Sequence, residues 1–245
     1  MNTLLLDLGN SRLKVAWQKE GEVAVLSIAE DLVEALAAVP VAPTQIWLSS
    51  VASTQRTQQL QNELAKRWPV VMYQVSVSQY QHYLPTEYAT GQLGVDRWLA
   101  MLACYRITNQ ACLVVDCGTA ITLDLVHQQG CHLGGYILPG LRLMQDSLLH
   151  NTAIPASITG VEGDLSMLPQ DTYSAITQGA CQAVVALLEK TLMQAPFGTT
   201  LLIGGGDAEK IIAQLSMPYT KIDQMVIQGL AQLSTLEHQQ NVSGR

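Results

Sequence analysis

The chain repeats itself. Leu4-Leu5-Leu6-Asp7-Leu8-Gly9-Asn10-Ser11 aligns with Leu113-Val114-Val115-Asp116-Cys117-Gly118-Thr119-Ala120 at an offset of 109. Each copy is an apolar run that ends in Asp-x-Gly, passes through small polar residues and continues into a second apolar run. The chain of 245 residues is long enough for one large domain or two small ones, and the repeat is a duplicated strand–turn–strand. Glycine in such a turn permits positive φ and lets main-chain N–H groups approach an anion. Asn10, Ser11 and Thr119 add side-chain donors, and each aspartate stands at a strand end, where it could hold a cation beside that anion. Taken alone, either hairpin is most simply an ordinary turn, since turns are rich in Gly, Asn and Asp. Repetition with an aspartate at the same point favours a pair of phosphate-binding turns.

The remaining pattern places the other motifs. Residues 3–7, 12–18 and 22–28 read as strands, 30–39 as a helix ended by Pro40, and 45–51 as a short buried strand. Leu60, Leu64 and Trp68 mark an amphipathic helix over 54–68, followed by a strand over 70–77. A helix at 95–107 carries Trp98, Leu102 and Tyr105 on one face. The second copy predicts strands at 112–116, 121–127 and 132–138, after which Pro139 suits the first turn of a helix towards His150. A long Ala-rich helix begins at Asp171-Thr172, a strand at 201–203 runs into Gly204-Gly205-Gly206, and 207–215 and 224–236 have helical composition. Residues 237–245 form a polar, frayed tail. Strands mixed with helices argue for α/β layers.

Two further motifs carry chemistry. The glycine cluster at 204–206 ends an apolar strand and opens a helix, a ready place for a phosphate or for a nucleoside lying on bare backbone. Gly94-Val95-Asp96-Arg97 opens the Trp98 helix. There Asp96 could take a proton from a substrate hydroxyl, and Arg97 could pair with a carboxylate or a transferring phosphoryl group. The plainer alternative is a helix start, with Asp96 favouring the dipole and Arg97 exposed. Gly134-Gly135-Tyr136-Ile137-Leu138-Pro139-Gly140 needs backbone freedom, for a tight corner or for a ligand meeting main chain.

Several chemistries are excluded. No GxxxxGK[ST] or GxGxxG is present, which removes the P-loop and the dinucleotide fingerprint. His82, His127, His132, His150 and His238 have no metal-ligand spacing, and the five cysteines form no CxxC pair. Cys117 lies inside the second turn without basic neighbours and reads as structural. Twenty acidic against thirteen basic residues give a net charge of −7, which counts against nucleic acid as a partner. Asp7 interrupts the first apolar run and no basic segment precedes it, so a signal peptide is not expected. Nor is a membrane span, and the odd number of cysteines suits a reducing compartment.

In chain order, Asp7-Leu8-Gly9-Asn10-Ser11, Gly94-Val95-Asp96-Arg97, Asp116-Cys117-Gly118-Thr119-Ala120-Ile121-Thr122, the segment 134–140 and Gly204-Gly205-Gly206 resemble the motifs of type III pantothenate kinases. That family lies within the acetate and sugar kinase/Hsp70/actin superfamily. The resemblance extends from Asn2 to about Leu236 and rests on the order and spacing of the motifs. It implies an α/β fold of two ribonuclease-H-like (actin-like ATPase) domains of mixed sheet with flanking helices and an ATP cleft between them. Residues 1–108 would carry the first phosphate turn and the GVDR segment, and 109–245 the second phosphate turn and the adenosine motif. It further implies transfer of the γ-phosphoryl of ATP to the terminal hydroxyl of pantothenate, the opening step of coenzyme A synthesis. The enzyme would be a cytoplasmic homodimer using Mg²⁺ and a monovalent cation, K⁺ or NH₄⁺.

By the same resemblance, Asp7, Leu8, Gly9, Asn10, Ser11, Arg12, Leu13 and Lys14 form the first ATP turn, with Asp7 near Mg²⁺. Thr119 matches an ATP contact, Gly204 and Gly205 lie near adenosine, and Asp116 matches the ligand of the monovalent cation. Asp96 matches the general base within a pantothenate-binding segment of Gly94, Val95, Asp96 and Arg97. Tyr88 and Thr172 match further pantothenate contacts. The sequence departs from the family in three places. Ser11 stands where threonine is usual, Tyr88 is one residue nearer the GVDR segment, and the last cluster has an extra glycine. Two other readings compete: a non-catalytic nucleotide-binding accessory or regulatory protein of the same fold, and a small sugar kinase. Intact Asp7, Asp96, Arg97 and Asp116 favour catalysis, and the Cys/His zinc cluster usual in one group of small sugar kinases is missing.

Overall fold

The computed structural model describes residues 2–155 and 168–243. Contacts divide the chain into two units, one of residues up to 107 together with those from 224 onward, the other of 108–223. The first unit begins with β1 (Asn2–Leu8), β2 (Leu13–Lys19) and β3 (Glu22–Ala29), followed by α1 (Leu32–Ala37), β4 (Gln45–Ser50), α2 (Thr54–Arg67) and β5 (Val71–Gln74). A short α3 (Val77–Tyr80) and the long α4 (Val95–Thr108) follow. Its sheet has the order β3-β2-β1-β4-β5, antiparallel across the first three strands and parallel from β1 to β4 to β5. β1 is buried from Thr3 to Leu8, as a central strand covered on both faces must be. Leu4, Leu6 and Leu8 join Ile46, Leu48, Leu60 and Leu64 in one core.

The second unit repeats the plan. It contains β6 (Cys112–Cys117), β7 (Ala120–Val126), β8 (His132–Pro139), α5 (Leu141–Asn151), α6 (Thr172–Gln194), β9 (Thr200–Gly204), α7 (Ala208–Ile212) and β10 (Thr220–Lys221). Its sheet order, β10-β9-β6-β7-β8, matches the first when β6 is laid on β1, with the same parallel and antiparallel pairs. Even the break in register recurs in both β2–β3 and β7–β8. Leu113, Val115, Ile121, Leu123, Val184, Leu188 and Ile203 form its separate core.

Five expectations are corrected. The last helix, α8 (Met225–Ser243), was expected in the second domain and belongs instead to the first unit. It packs on β1 and β4 and is tied to β2 and α4. Held this way, it continues well past Leu236 into the supposed tail. Pro139 closes β8 opposite Ala120 on an edge strand, where a missing N–H costs no ladder bond, and Gly140 caps α5 in its place. The strand expected over 70–77 is limited to β5, because Ser76 and Val77 turn into α3. The helix expected over 207–215 is α7 alone.

Candidate active site

In the first unit the β1–β2 ladder runs out to Asp7 opposite Lys14 and Leu8 opposite Leu13. Residues 9–12 are the turn, closed by the Gly9 N–H donating to Arg12 O at 3.0 Å. Asn10, Ser11 and Arg12 are exposed. Asp7 is only 7% exposed, and Lys14 Nζ lies 3.6 Å from its Oδ2. Leu8 and Leu13 are fully buried core residues, so only their main chain could meet a ligand. Gly9 and Gly118 do not adopt the left-handed φ expected of them. Both donate instead to a carbonyl inside their own turn, Gly118 to Ala120 O at 3.0 Å.

A carboxylate at a strand end beside an exposed polar turn suits a hard cation. Mg²⁺ typically takes one or two carboxylates and completes its shell with phosphate and water. Among the described residues no three His, Cys, Asp or Glu side chains gather into a metal cage. An ion at Asp7 would therefore draw its other oxygens from phosphate and water.

Also in the first unit, Gly94 O accepts the Trp98 N–H at 3.1 Å and opens α4. The half-buried Asp96 folds back so that its Oδ1 accepts the Arg97 N–H at 2.8 Å. A Cβ on Gly94 would come within 2.5 Å of that oxygen, so glycine makes room for the carboxylate. Arg97 is 8% exposed, not the solvated residue of the plainer reading, and its guanidinium lies 5.7 Å from the centre of the Tyr88 ring. This is cation–π distance. Trp98 Nε1 donates to Leu84 O at 2.9 Å and fixes the helix start against the preceding loop. Tyr88, Gly94, Val95, Asp96 and Arg97 thus gather at one helix N-terminus, with the Asp96 carboxylate on the Arg97 main chain and the Arg97 guanidinium over the Tyr88 ring.

In the second unit the Gly118-Thr119 turn is gripped from two sides. The Gly140 N–H donates to Thr119 O at 2.8 Å, and a Cβ there would lie 2.5 Å from that oxygen. The Asp207 N–H donates to Cys117 O at 3.0 Å. Gly205 has φ +97°, and a Cβ there would lie 2.5 Å from Cys117 O and 2.6 Å from Asp116 Oδ1. Gly204 pairs with Asp116 in parallel register. The third glycine cluster therefore converges on the second turn, and within it Gly205 is the position that must be bare. Sequence reasoning missed the role of Gly140, although the spacing of its motif marked a corner. Burial first, then the nearby Asp116 and Asp207 carboxylates, push the Cys117 thiol up to about 12, in keeping with a structural cysteine.

Thr172 lies on a different feature of this unit. It is exposed at the start of α6 and lines a groove of about 650 Å³ with Met144 and Leu148 of α5. Asp171 caps α6, accepting the Ser174 N–H at 2.9 Å and its hydroxyl at 2.7 Å. These bonds hold its carboxyl below the usual carboxylate range.

The profile of the type III pantothenate kinase family matches residues 3–194. The chain belongs to this family. A type III pantothenate kinase of Halorhodospira halophila is 34% identical over 260 residues, spanning 96% of this chain and 98% of that one. One from Idiomarina loihiensis is 31% identical over 266 residues, spanning 93% and 96%. Among solved structures, a Campylobacter jejuni protein assigned to the Baf family of transcriptional activators superposes with a TM-score of 0.66 at 22% identity, covering 96% of this chain and 99% of that one. MreB 5 of Spiroplasma citri, bound to AMPPNP, superposes with a TM-score of 0.55 at 10% identity, covering 100% and 99%. At such identities these two show the fold alone, a two-domain actin-like fold of mixed sheets with flanking helices.

Proposed function

We propose that the protein is a kinase that transfers the γ-phosphoryl of ATP to the terminal hydroxyl of pantothenate, giving 4'-phosphopantothenate for coenzyme A synthesis. The observation that carries this reading is the match to type III pantothenate kinases over nearly the whole chain. Phosphoryl transfer asks a protein chiefly for positioning and charge neutralisation, and only modestly for proton removal.

In the first unit, the main chain of residues 8–13 and the side chains of Asn10, Ser11, Arg12 and Lys14 take phosphate oxygens, with Asp7 holding Mg²⁺. That ion supplies charge neutralisation at the phosphates. Asp96 accepts the hydroxyl proton of pantothenate. Arg97, backed by Tyr88, takes its carboxylate, while the main chain of Gly94 and Val95 completes that segment. In the second unit Thr119 takes phosphate, Asp116 holds the monovalent cation, and Gly204 and Gly205 offer bare backbone to adenosine. Thr172 contacts pantothenate.

The protein works as a homodimer in the cytoplasm. Supporting the dimer, β8 is an edge strand that exposes Leu133, Tyr136 and Ile137, and α5 after it exposes Leu143 and Leu148. Supporting the compartment, all five cysteines are free. No described helix is long and apolar enough to cross a membrane.

The test is ADP release from MgATP, with and without pantothenate, in K⁺ and then in Na⁺ buffer. Pantothenate-dependent release that requires K⁺ or NH₄⁺ is expected. Release indifferent to pantothenate, or none from folded protein, would overturn the assignment.

A further inference from the structure

Arg56 belongs to none of the sequence motifs, yet it reaches the first turn. It lies in the first turn of α2, where its own N–H donates to the capping Ser53 Oγ at 3.3 Å. Its Nη2 donates to two carbonyls distant in sequence, Glu30 O just beyond β3 at 2.8 Å and Ser11 O at 3.2 Å. The adjacent Nε is buried without a hydrogen-bond partner in the protein. Holding a long side chain still costs rotamer entropy, and leaving a guanidinium N–H unsatisfied costs more. Tying together two surface carbonyls does not by itself account for either cost, because water serves exposed carbonyls well.

Peptide geometry supplies what the contact achieves. In a trans peptide the C=O and the following N–H point in opposite directions. Fixing Ser11 O on Arg56 therefore turns the Arg12 N–H the other way. A flipped peptide would present a carbonyl oxygen where an anion is to bind. The bond to a permanent cation also polarises the peptide and strengthens its N–H as a donor.

We propose that Arg56 is a positioning residue of the nucleotide site, holding the Ser11–Arg12 peptide with its N–H presented to phosphate and its carbonyl turned away. This rests on reading residues 9–12 as a phosphate turn, but not on pantothenate being the acceptor.

The experiment compares Arg56→Ala and Arg56→Lys with the wild-type full chain, using ADP, tripolyphosphate and adenosine as binding probes and recording KM for both substrates. Arg56→Ala is expected to weaken ADP and tripolyphosphate binding and raise KM for ATP, each by about tenfold, equivalent to losing one modest charged hydrogen bond. Adenosine binding and KM for pantothenate should be unchanged. Arg56→Lys, which keeps the charge and can still reach one carbonyl, should fall between. A lowered thermal midpoint with unchanged ADP and tripolyphosphate affinity would overturn the proposal and leave a purely structural tie. If the wild type binds ADP in an Arg56-dependent way but ignores pantothenate, the inference stands and the acceptor assignment fails. If the wild type binds neither ADP nor tripolyphosphate, both fall.

Discussion

Gly205→Ala, paired with Gly206→Ala, gives two adjacent substitutions with opposite expected signs. Gly205 has φ +97°, which an L-residue adopts at a cost of about 1–2 kcal/mol. The new Cβ would also stand 2.5 Å from Cys117 O and 2.6 Å from Asp116 Oδ1. The former is backbone and cannot swing aside, so overpacking adds about 1–3 kcal/mol. The sum, about 2–5 kcal/mol, is a large fraction of typical domain stability. In a chain of this size it lowers the thermal midpoint by about 4–20 °C. Gly206 has no left-handed φ and no atom within 4 Å of an added Cβ. Alanine there should be neutral or stabilise by up to about 1 kcal/mol through the unfolded chain. Urea and thermal unfolding followed by circular dichroism measure both. Because the added Cβ would press on Asp116 Oδ1, Gly205→Ala should also raise KM for ATP while Gly206→Ala leaves it unchanged. Equal stabilities for the two variants would refute the packing of the glycine strand end against the second turn.

Three other outcomes are expected. Asp96→Asn should keep the fold and ADP binding yet lose about 10²–10⁴-fold in turnover, and wild-type turnover would remove Asp96 as the base. Burial pushes the Cys112 and Cys117 thiols up to about 12, so both should stay protonated and resist alkylation up to about pH 9 until urea unfolds the chain. Rapid labelling of either in native protein, read by peptide mass, would contradict their burial. His132 Nε2 lies 2.9 Å from Asp124 Oδ1 with both residues 2% exposed, so His132→Ala removes a buried hydrogen bond. It should cost about 1–3 kcal/mol in urea titration without altering KM for ATP, and an unchanged midpoint would show that the pair contributes nothing to stability.

The parts legible in the sequence are those set by local pattern. Apolar runs broken by Asp-x-Gly locate β1–β2 and β6–β7, and the spacing of Leu60 and Leu64 locates α2. These signals need only neighbouring residues. The site is legible to the same extent: Asp7, Asp96, Arg97 and Asp116 stand out as motif residues. What holds them does not, because it comes from far along the chain. Arg56 reaches back 45 positions to Ser11. Gly140 and Gly205 meet a turn that neither adjoins in sequence. No periodicity encodes such contacts, and glycine is ambiguous until its neighbours are known.

The misplaced last helix follows from the duplication itself. Matching the two copies sets β10 on β5 and makes α8, which follows β10, the counterpart of α4, which follows β5 in the first. A boundary drawn between the copies must then put α8 with the second. Packing decides otherwise. Gln18 on β2 donates from Nε2 to Ala231 O at 3.2 Å and accepts the Ser234 hydroxyl at 2.7 Å, a buried polar pair that only this docking satisfies. Met225 meets Cys104, and Gln232 donates to Ala103 O at 3.3 Å, so α8 packs on the first sheet and against α4, its counterpart in the first copy. The unit of duplication and the unit of packing therefore differ by one helix. A chain cut between the copies would leave the faces of β1, β4 and α4 without the helix that covers them.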